Sequence, residues 1–188
     1  MLKMFRICVL LIGISIGSFA QQFKLGVGWE ASFHTGTFHD FISTGHGATL
    51  RAEIPIMRDF GVIITTGKII AHKEYSHPLF PLKRDLETTF IPIMIGTKLN
   101  VSENIYVLAE SGMNSITIKT APIMKGSPNS YFYSPGGSTY VSKFGWGVGV
   151  GFEMPIIEKV NLDCSAKYQT VRDNYDHFNT RLGISVAL

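Results

Sequence analysis

The sequence predicts an all-β fold, an eight-stranded antiparallel up-and-down transmembrane β-barrel. The first observation is the alternation at both ends of the chain. In residues 23–33 and 178–188, apolar side chains occupy nearly every second position. A period of two is typical of strands with one apolar and one polar face. Because the first and last segments share this pattern, we expect them to pair with each other and close a barrel.

The second observation is that six more segments of this kind lie between the two ends. The predicted strands are residues 23–33, 48–56, 61–71, 88–99, 105–118, 144–154, 160–169 and 178–188. The predicted connections are short turns at 57–60, 100–104 and 155–159, and longer loops at 34–47, 72–86, 119–139 and 172–176. Short turns at one end and long loops at the other are typical of outer-membrane barrels.

Each strand has its own pattern. In strand 1, Glu30 shares a face with glycines, and in strand 2, Arg51 lies on the face opposite the aliphatic residues. Strand 3 is apolar on both faces, so its orientation stays open, and strand 4 sets Lys98 opposite isoleucines. Strand 5 is the least regular, strand 6 alternates glycine with large apolar residues, and strands 7 and 8 alternate polar with apolar residues. Strands of about 10 residues are long enough, when tilted, to cross an apolar layer.

The two faces of the strands predict two environments. We expect the charged side chains of the polar face to pair inside the lumen, as the interior of a small membrane barrel requires. These residues are Glu30, Arg51, Glu53, Lys98, Glu110, Glu153, Asp163, Lys167 and Arg181. We expect the large side chains of the apolar face to contact lipid. The residues chosen for this role are Trp29, Phe144, Trp146, Phe152 and Tyr168.

Residues 1–20 have the three parts of a secretory signal peptide. Lys3 and Arg6 precede the apolar run 7–16, and small residues lie at the −3 and −1 positions before Gln21. We therefore expect residues 21–188 to form one barrel domain. Removing Lys3 and Arg6 from the 17 basic residues leaves 15 against 14 acidic residues, a net charge of +1. This charge gives no reason to expect nucleic acid as a partner.

The chain resembles the small outer-membrane β-barrel proteins of Gram-negative bacteria, especially the eight-stranded, OmpA/OmpX-like barrels of Bacteroidetes-type envelopes. The segments that carry the resemblance are 18–22, 50–56, 90–93, 144–153 and 181–186. The resemblance implies a location in the cell outer membrane and a structural or surface-interaction role through long external loops, without enzymatic activity or a cofactor. It implies outer-membrane lipid and the barrel-assembly machinery as partners, together with an unknown surface ligand.

Three features that resemble chemical sites are better explained by structure. The six histidines, His34, His39, His46, His72, His77 and His177, fall in or beside the predicted loops of one rim, but their spacing matches no metal site. The glycine run at 145–151 is not followed by a helix, as a nucleotide-binding loop would be. Ser43 with His46, and Asp176 with His177, lack the surroundings of a catalytic pair. We therefore predict no catalytic, metal or cofactor site.

Two alternatives remain open at this level. A soluble periplasmic lipocalin-like barrel, binding a small apolar ligand, would turn Trp146 and Phe152 inward and the glycines of the same strand outward. An outer-membrane lipid hydrolase would need a histidine and a serine at the rim. Tyr140 and its neighbours in loop 119–139 are open to two interpretations, an interfacial aromatic girdle or a contact surface.

Overall fold

The computed structural model describes residues 23–35, 44–76, 83–127, 130–172 and 175–188. The predicted signal peptide lies outside these residues. The described residues form ten strands: β1 (Lys24–His34), β2 (Gly45–Pro55), β3 (Phe60–Ser76), β4 (Lys83–Asn100), β5 (Ile105–Thr120), β6 (Ile123–Ser127), β7 (Ser130–Ser134), β8 (Gly137–Ile157), β9 (Val160–Val171) and β10 (His177–Ala187). No helix in the described ranges is long and apolar enough to cross a membrane.

Eight of these strands form one closed antiparallel barrel, as predicted. The order around the ring is β1-β10-β9-β8-β5-β4-β3-β2, and β6 and β7 form a separate two-stranded sheet. The barrel closes between the first and last strands, which pair from Lys24 with Ala187 to His34 with His177. Closure gives every strand of the ring two neighbours, so the alternating segments at the chain ends leave no open edge there.

The two ends of the barrel differ. One end, here called the turn face, carries the short connections 56–59, 101–104 and 158–159. The start of β1 and the end of β10 also lie at this face. Lys159 in the two-residue turn has a positive φ of 69°, which is common in tight hairpins. The opposite end, here called the loop face, carries the remaining connections. The predicted alternation of short turns with longer connections is therefore confirmed.

The alternation separates the inside of the barrel from the outside. Glu30 is 1% exposed inside the barrel, whereas its neighbour Trp29 is 55% exposed outside it. The sequence pattern leaves strand 3 unoriented, and the structure turns Ile63 inward and Ile64 outward. In β8 Gly145 is buried and Trp146 is exposed. This is the reverse of the soluble lipocalin-like alternative, which is therefore wrong.

Two predicted loops are largely strand. Loop 72–86 is predicted to be irregular because it holds two prolines, but β3 continues to Ser76 and β4 begins at Lys83. Only the segment 77–82, with both prolines, interrupts the two strands, and it lies outside the described residues. Loop 119–139 is also predicted to be irregular, but it contains the β6–β7 hairpin and the first residues of β8. The polar composition of both segments suits strands that meet water on both faces.

These extensions reach beyond the closed ring. The pairing of β2 with β3 ends at Gly45 and Ala71, whereas β3 and β4 pair on to Ser76 and Lys83. The pairing of β8 with β9 begins at Gly145, whereas β8 pairs with β5 from Gly137. The four-stranded extension at the loop face is called the projecting sheet. It consists of residues 72–76, 83–87, 117–120 and 137–143.

Candidate functional site

The barrel interior brings the nine charged residues of the polar face together. Eight of them are buried and Glu153 is partly buried, with a side chain 12% exposed. A tenth ionisable residue, Lys24, joins them through an ion pair with Glu153. The ten side chains are five carboxylates and five cations, so their formal charges cancel. They contact each other in layers stacked from the turn face toward the loop face.

The first layer lies next to the turn face. Lys24 Nζ is 2.7 Å from Glu153 Oε1, and Lys98 Nζ donates to Glu53 Oε2 at 2.8 Å and also to Glu153. Asn161 Nδ2 donates to Glu153 Oε1 at 2.8 Å. Lys24, Glu153 and Lys98 lie on β1, β8 and β4, which are not neighbours in the ring. These bonds therefore cross the lumen and tie distant walls of the barrel together.

The second layer is centred on Asp163. Arg181 Nη1 donates to Asp163 Oδ1 at 2.7 Å, and the Tyr106 hydroxyl donates to Asp163 Oδ2 at 3.0 Å. Arg51 Nη1 lies 3.1 Å from the Tyr106 hydroxyl oxygen and 3.5 Å from Asp163 Oδ1. Arg181 Nε donates to the Thr49 hydroxyl at 3.0 Å. One buried carboxylate thus holds two guanidinium groups and a phenol.

Inward glycines make room for the large side chains of this layer. A Cβ atom at Gly28 would lie 2.7 Å from Arg181 Nε, and one at Gly183 would lie 2.9 Å from Arg181 Nη2. A Cβ atom at Gly151 would overlap the Tyr106 ring. Tyr106 and Gly151 lie on the neighbouring strands β5 and β8, and Arg181 and Gly28 lie on the neighbouring strands β10 and β1, whereas Gly183 lies on the same strand as Arg181. Each of these glycines therefore makes room for a side chain from its own strand or from the next one.

The third layer has the opposite charge balance to the second. Lys167 Nζ donates to Glu110 Oε2 at 3.1 Å and lies 3.7 Å from Glu30 Oε1. The Thr65 hydroxyl also donates to Glu110. The second layer has one acid for two bases, and the third has one base for two acids. Together the two layers are neutral, which limits the cost of burying their charges.

Toward the loop face the interior becomes uncharged. In the fourth layer, Gln169 Nε2 donates to Asn114 Oδ1 at 3.0 Å, and Asn179 Nδ2 donates to Gln169 Oε1 at 3.4 Å. Beyond it, an apolar cluster closes the mouth of the barrel. Its members are Ile69, Ala71, Phe90 and Ile116. The rings of His34, Phe90 and His177 contact one another there at tilted angles, with 5.0 to 6.3 Å between ring centroids.

The first two layers leave little free space between them. A cavity bordered by Lys24, Arg51, Glu53, Asp163 and Arg181 has a volume of about 10 Å³, which is about the space of one water molecule. Lys98 Nζ lies 4.5 Å from the centre of the Tyr106 ring and closes the gap between the first two layers. An eight-stranded barrel is narrow enough for side chains to fill it, as they do here.

The outer face carries the five residues chosen for lipid contact. Trp29, Phe144, Trp146, Phe152 and Tyr168 all point away from the lumen and are between 41% and 55% exposed. Ile93, Ile95, Val148 and Val150 are exposed beside them. This continuous apolar surface is a suitable contact for hydrocarbon.

The histidines do not form a metal site among the described residues. Four were expected in or beside loops but lie within strands: His34, His46, His72 and His177. His39 and His77, together with Ser43, lie outside the described residues. No group of three or more His, Cys, Asp or Glu side chains in the described ranges could hold a metal ion. His177 Nδ1 lies 3.0 Å from the carbonyl oxygen of Tyr175.

The projecting sheet offers a cleft and an edge. The cleft has a volume of about 520 Å³ and is bordered by charged residues of both signs, including Glu74, Asp85 and Glu87 with Lys119. Lys119 Nζ lies 3.5 Å from Glu87 Oε1. The edge is the side of β8 away from β5. Among the described residues, only β5 pairs with β8 between Gly137 and Ser142.

Several lumen residues were missed at the level of sequence. Lys24, Tyr106, Gln169 and Asn179 all lie at inward positions of their strands. On its strand, each is an even number of positions away from one of the nine predicted lumen residues, so the two side chains point to the same side. Lys24, for example, has the same parity as Glu30 in β1. Extending the parity rule to all polar and aromatic residues would have found them.

A family model described as "Outer membrane protein beta-barrel domain" matches residues 7–187. No curated protein matches the sequence significantly. The solved structures that share the fold include the following three. Ail of Yersinia pestis has a TM-score of 0.61 and 14% identity, covering 90% of this chain and 100% of that one. OprG of Pseudomonas aeruginosa has a TM-score of 0.56 and 9% identity, covering 90% and 96%. A major outer membrane protein of Thermus thermophilus has a TM-score of 0.55 and 12% identity, covering 88% and 99%.

Proposed function

Because the chain belongs to the outer membrane protein β-barrel family and is located in the outer membrane, we propose that it is a non-enzymatic anchor whose projecting sheet binds a partner at the cell surface. The observation that carries this proposal is the exposed edge of β8 between Gly137 and Ser142. The N–H and C=O groups along such an edge are a template for one more strand. The edge lies at the loop face, which is external in barrels of this class.

The filled lumen supports an anchoring role. Its ionisable side chains bond to each other across the barrel, and the cavity among them has room for about one water molecule. A lipid hydrolase would need a nucleophile beside a base, whereas His177 Nδ1 contacts a backbone carbonyl. Outer-membrane lipid around the apolar face and the barrel-assembly machinery are the partners that such an anchor requires.

We propose an extended polypeptide as the surface partner. The Ail protein of Yersinia pestis has been solved with the heparin analogue sucrose octasulfate. The projecting sheet of this chain does not favour a polysulfated ligand, because Glu74, Asp85 and Glu87 balance the cations of its cleft. A strand edge is indifferent to charge, since the main-chain hydrogen bonds provide the affinity.

Photocrosslinking in living cells tests this proposal. A benzoylphenylalanine residue replaces Ser138 on the exposed edge strand, and a second variant carries it at Val150, which points outward lower on the same strand. The proposal expects adducts with a protein from the Ser138 position, whereas the Val150 position gives adducts with lipid or none. Lipid adducts or no adducts from both positions would contradict it.

A pair of proline variants separates edge binding from other contacts. Consecutive amides of a strand point to opposite sides, so of Ser138→Pro and Thr139→Pro one removes an amide from the exposed edge and the other removes a bond to β5. For this test the benzoylphenylalanine is placed at Tyr140 instead of Ser138. The variant that lacks the edge amide should lose the protein adduct, while its barrel keeps its mobility on unboiled gels. Retention of the adduct in both variants would count against strand addition.

A further inference from the structure

The turn face exposes large apolar side chains at its tips. Met57 in turn 56–59, Val101 in turn 101–104 and Ile157 beside turn 158–159 are each 65% or 66% exposed. Leu188 at the chain end is 64% exposed. Turns that meet water are normally polar, and a group of exposed apolar residues marks a contact surface.

The tips are distributed around the whole ring. Met57 lies between β2 and β3, Val101 between β4 and β5, and Ile157 between β8 and β9, while Leu188 follows β10 beside β1. Every junction of the turn face therefore carries one exposed apolar residue, at intervals of two strands. A protein that docked on one side of the turn face would need exposed apolar residues on that side only. Apolar residues spaced around the whole ring are instead suited to contact with a flat apolar layer.

The ring is continuous with the lipid-contacting face of the barrel. Outward apolar residues lead directly to the tips: Ile56, Leu99, Ile105, Ile156 and Val186 are all exposed. At the loop face the outer surface is different, because the strands pass into the polar projecting sheet, with exposed residues such as Glu74 and Asp85. The apolar surface thus reaches the turn face but stops below the projecting sheet.

The remaining turn residues suit the interfacial layer of a membrane. Each turn also holds charged residues, which are Arg58 and Asp59, Glu103, and Glu158 and Lys159. Their mixed signs match the mixed charges of phospholipid headgroups. Apolar side chains directed into the layer, with charged neighbours directed out of it, are typical of segments that lie in a membrane interface.

We propose that the turn face is a lipid-binding surface, in which Met57, Val101, Ile157 and Leu188 insert into the periplasmic leaflet of the outer membrane. The turns then lie within the membrane interface and do not project into the periplasm. With the turns at this depth, the length of the strands determines how far the barrel extends beyond the opposite leaflet. The 18-residue β4 spans about 60 Å, or about 40 Å in height at a tilt of ~45°, against an apolar band of about 25 Å. The surplus length lies at the loop face.

Spin-label accessibility tests the insertion. In a Cys8→Ala, Cys164→Ala background, a nitroxide is attached to Met57→Cys, Val101→Cys or Ile157→Cys, and the barrel is placed in vesicles of phosphatidylethanolamine and phosphatidylglycerol. Val27→Cys is the lipid control, and Asp85→Cys is the water control. Glu103→Cys is a polar control in the same turn as Val101. Collisions with oxygen are compared with collisions with a water-soluble nickel chelate.

The proposal expects the oxygen-to-nickel ratio at the three tips to be several-fold higher than at Asp85 and to approach that at Val27. A ratio equal to that at Asp85 overturns it. Protection of the tips in native membranes but not in the vesicles also overturns it, in favour of a protein partner or a second copy. Val101→Trp in a Trp29→Phe, Trp146→Phe background is a label-free check. Brominated lipid should quench its fluorescence more strongly than that of Asp85→Trp, and equal quenching would contradict the insertion.

Discussion

The ring of Tyr106 lies directly against the backbone of Gly151, its cross-strand partner in the pair β5 and β8. This contact places the phenol oxygen within hydrogen-bonding distance of both Arg51 and Asp163. The arrangement connects two layers of the lumen network, because Lys98 Nζ lies over the same ring, 4.5 Å from its centre. A glycine on the wall is therefore what allows an aromatic side chain to cross the lumen.

Substitution of this glycine should destabilise the barrel. Gly151→Ala inserts a methyl group into the Tyr106 ring, and overpacking of this kind costs about 1–3 kcal/mol. The measurement is the free energy of unfolding in urea, with the protein in lipid vesicles. The matched control is Gly137→Ala at the far end of the same strand, where an added Cβ meets nothing within 4 Å. Equal stability of the two variants would refute the close contact.

Neutralising the central carboxylate should cost more. Asp163→Asn removes the charge that faces Arg51 and Arg181, and breaking a buried ion pair typically costs about 3–5 kcal/mol. Urea unfolding measures the loss. Glu87→Gln breaks an exposed ion pair with Lys119 and should change the stability by less than about 1 kcal/mol. If both substitutions had the same small effect, Asp163 would not organise the lumen.

The lipid-facing and projecting parts of β8 should respond differently to charge. Val150→Arg places a charge on the apolar outer face, where arginine costs about 2–4 kcal/mol near the bilayer midplane. Ser138→Arg points outward on the same strand but lies in the projecting sheet, where we expect little change. Unfolding in vesicles compares the two variants. A large loss for Ser138→Arg would place the projecting sheet inside the membrane.

Removing the aromatic side chain between the first two layers should destabilise the barrel. Tyr106→Ala deletes a fully buried ring, and truncation of a buried aromatic side chain to alanine typically costs about 3–5 kcal/mol. Unfolding in urea, with the protein in lipid vesicles, measures the loss. Tyr168→Ala deletes a ring on the outer face and is the matched control, with a smaller expected loss because that ring is 42% exposed. An equal loss for the two variants would mean that Tyr106 does not organise the lumen.

Parity along the strands predicts which side chains lie inside. Glu30, Lys98 and Arg181 could be chosen from sequence because a strand turns every second residue to the same side. The partners could not be chosen in the same way. Lys98 and Glu153 meet across the lumen from β4 and β8, and such meetings depend on the tilt and stagger of the barrel, which no local pattern specifies.

The projecting sheet was not predicted, for a related reason. Residues 72–76 and 83–87 pair as regular strands but show no alternation of apolar and polar side chains. Alternation arises only where one face of a sheet meets an apolar medium and the other does not. Above the membrane both faces meet water, so the sequence of a strand there resembles that of a loop.

Labelling of intact cells tests the central claim, that a filled barrel holds a sheet above the external surface, most directly. In the Cys8→Ala, Cys164→Ala background, Asp85→Cys in the projecting sheet and Glu103→Cys at the turn face are exposed to a membrane-impermeant maleimide. We expect Asp85→Cys to react in intact cells and Glu103→Cys to react only after the outer membrane is permeabilised. Labelling of Glu103→Cys but not Asp85→Cys in intact cells would contradict the account, since it would place the projecting sheet in the periplasm.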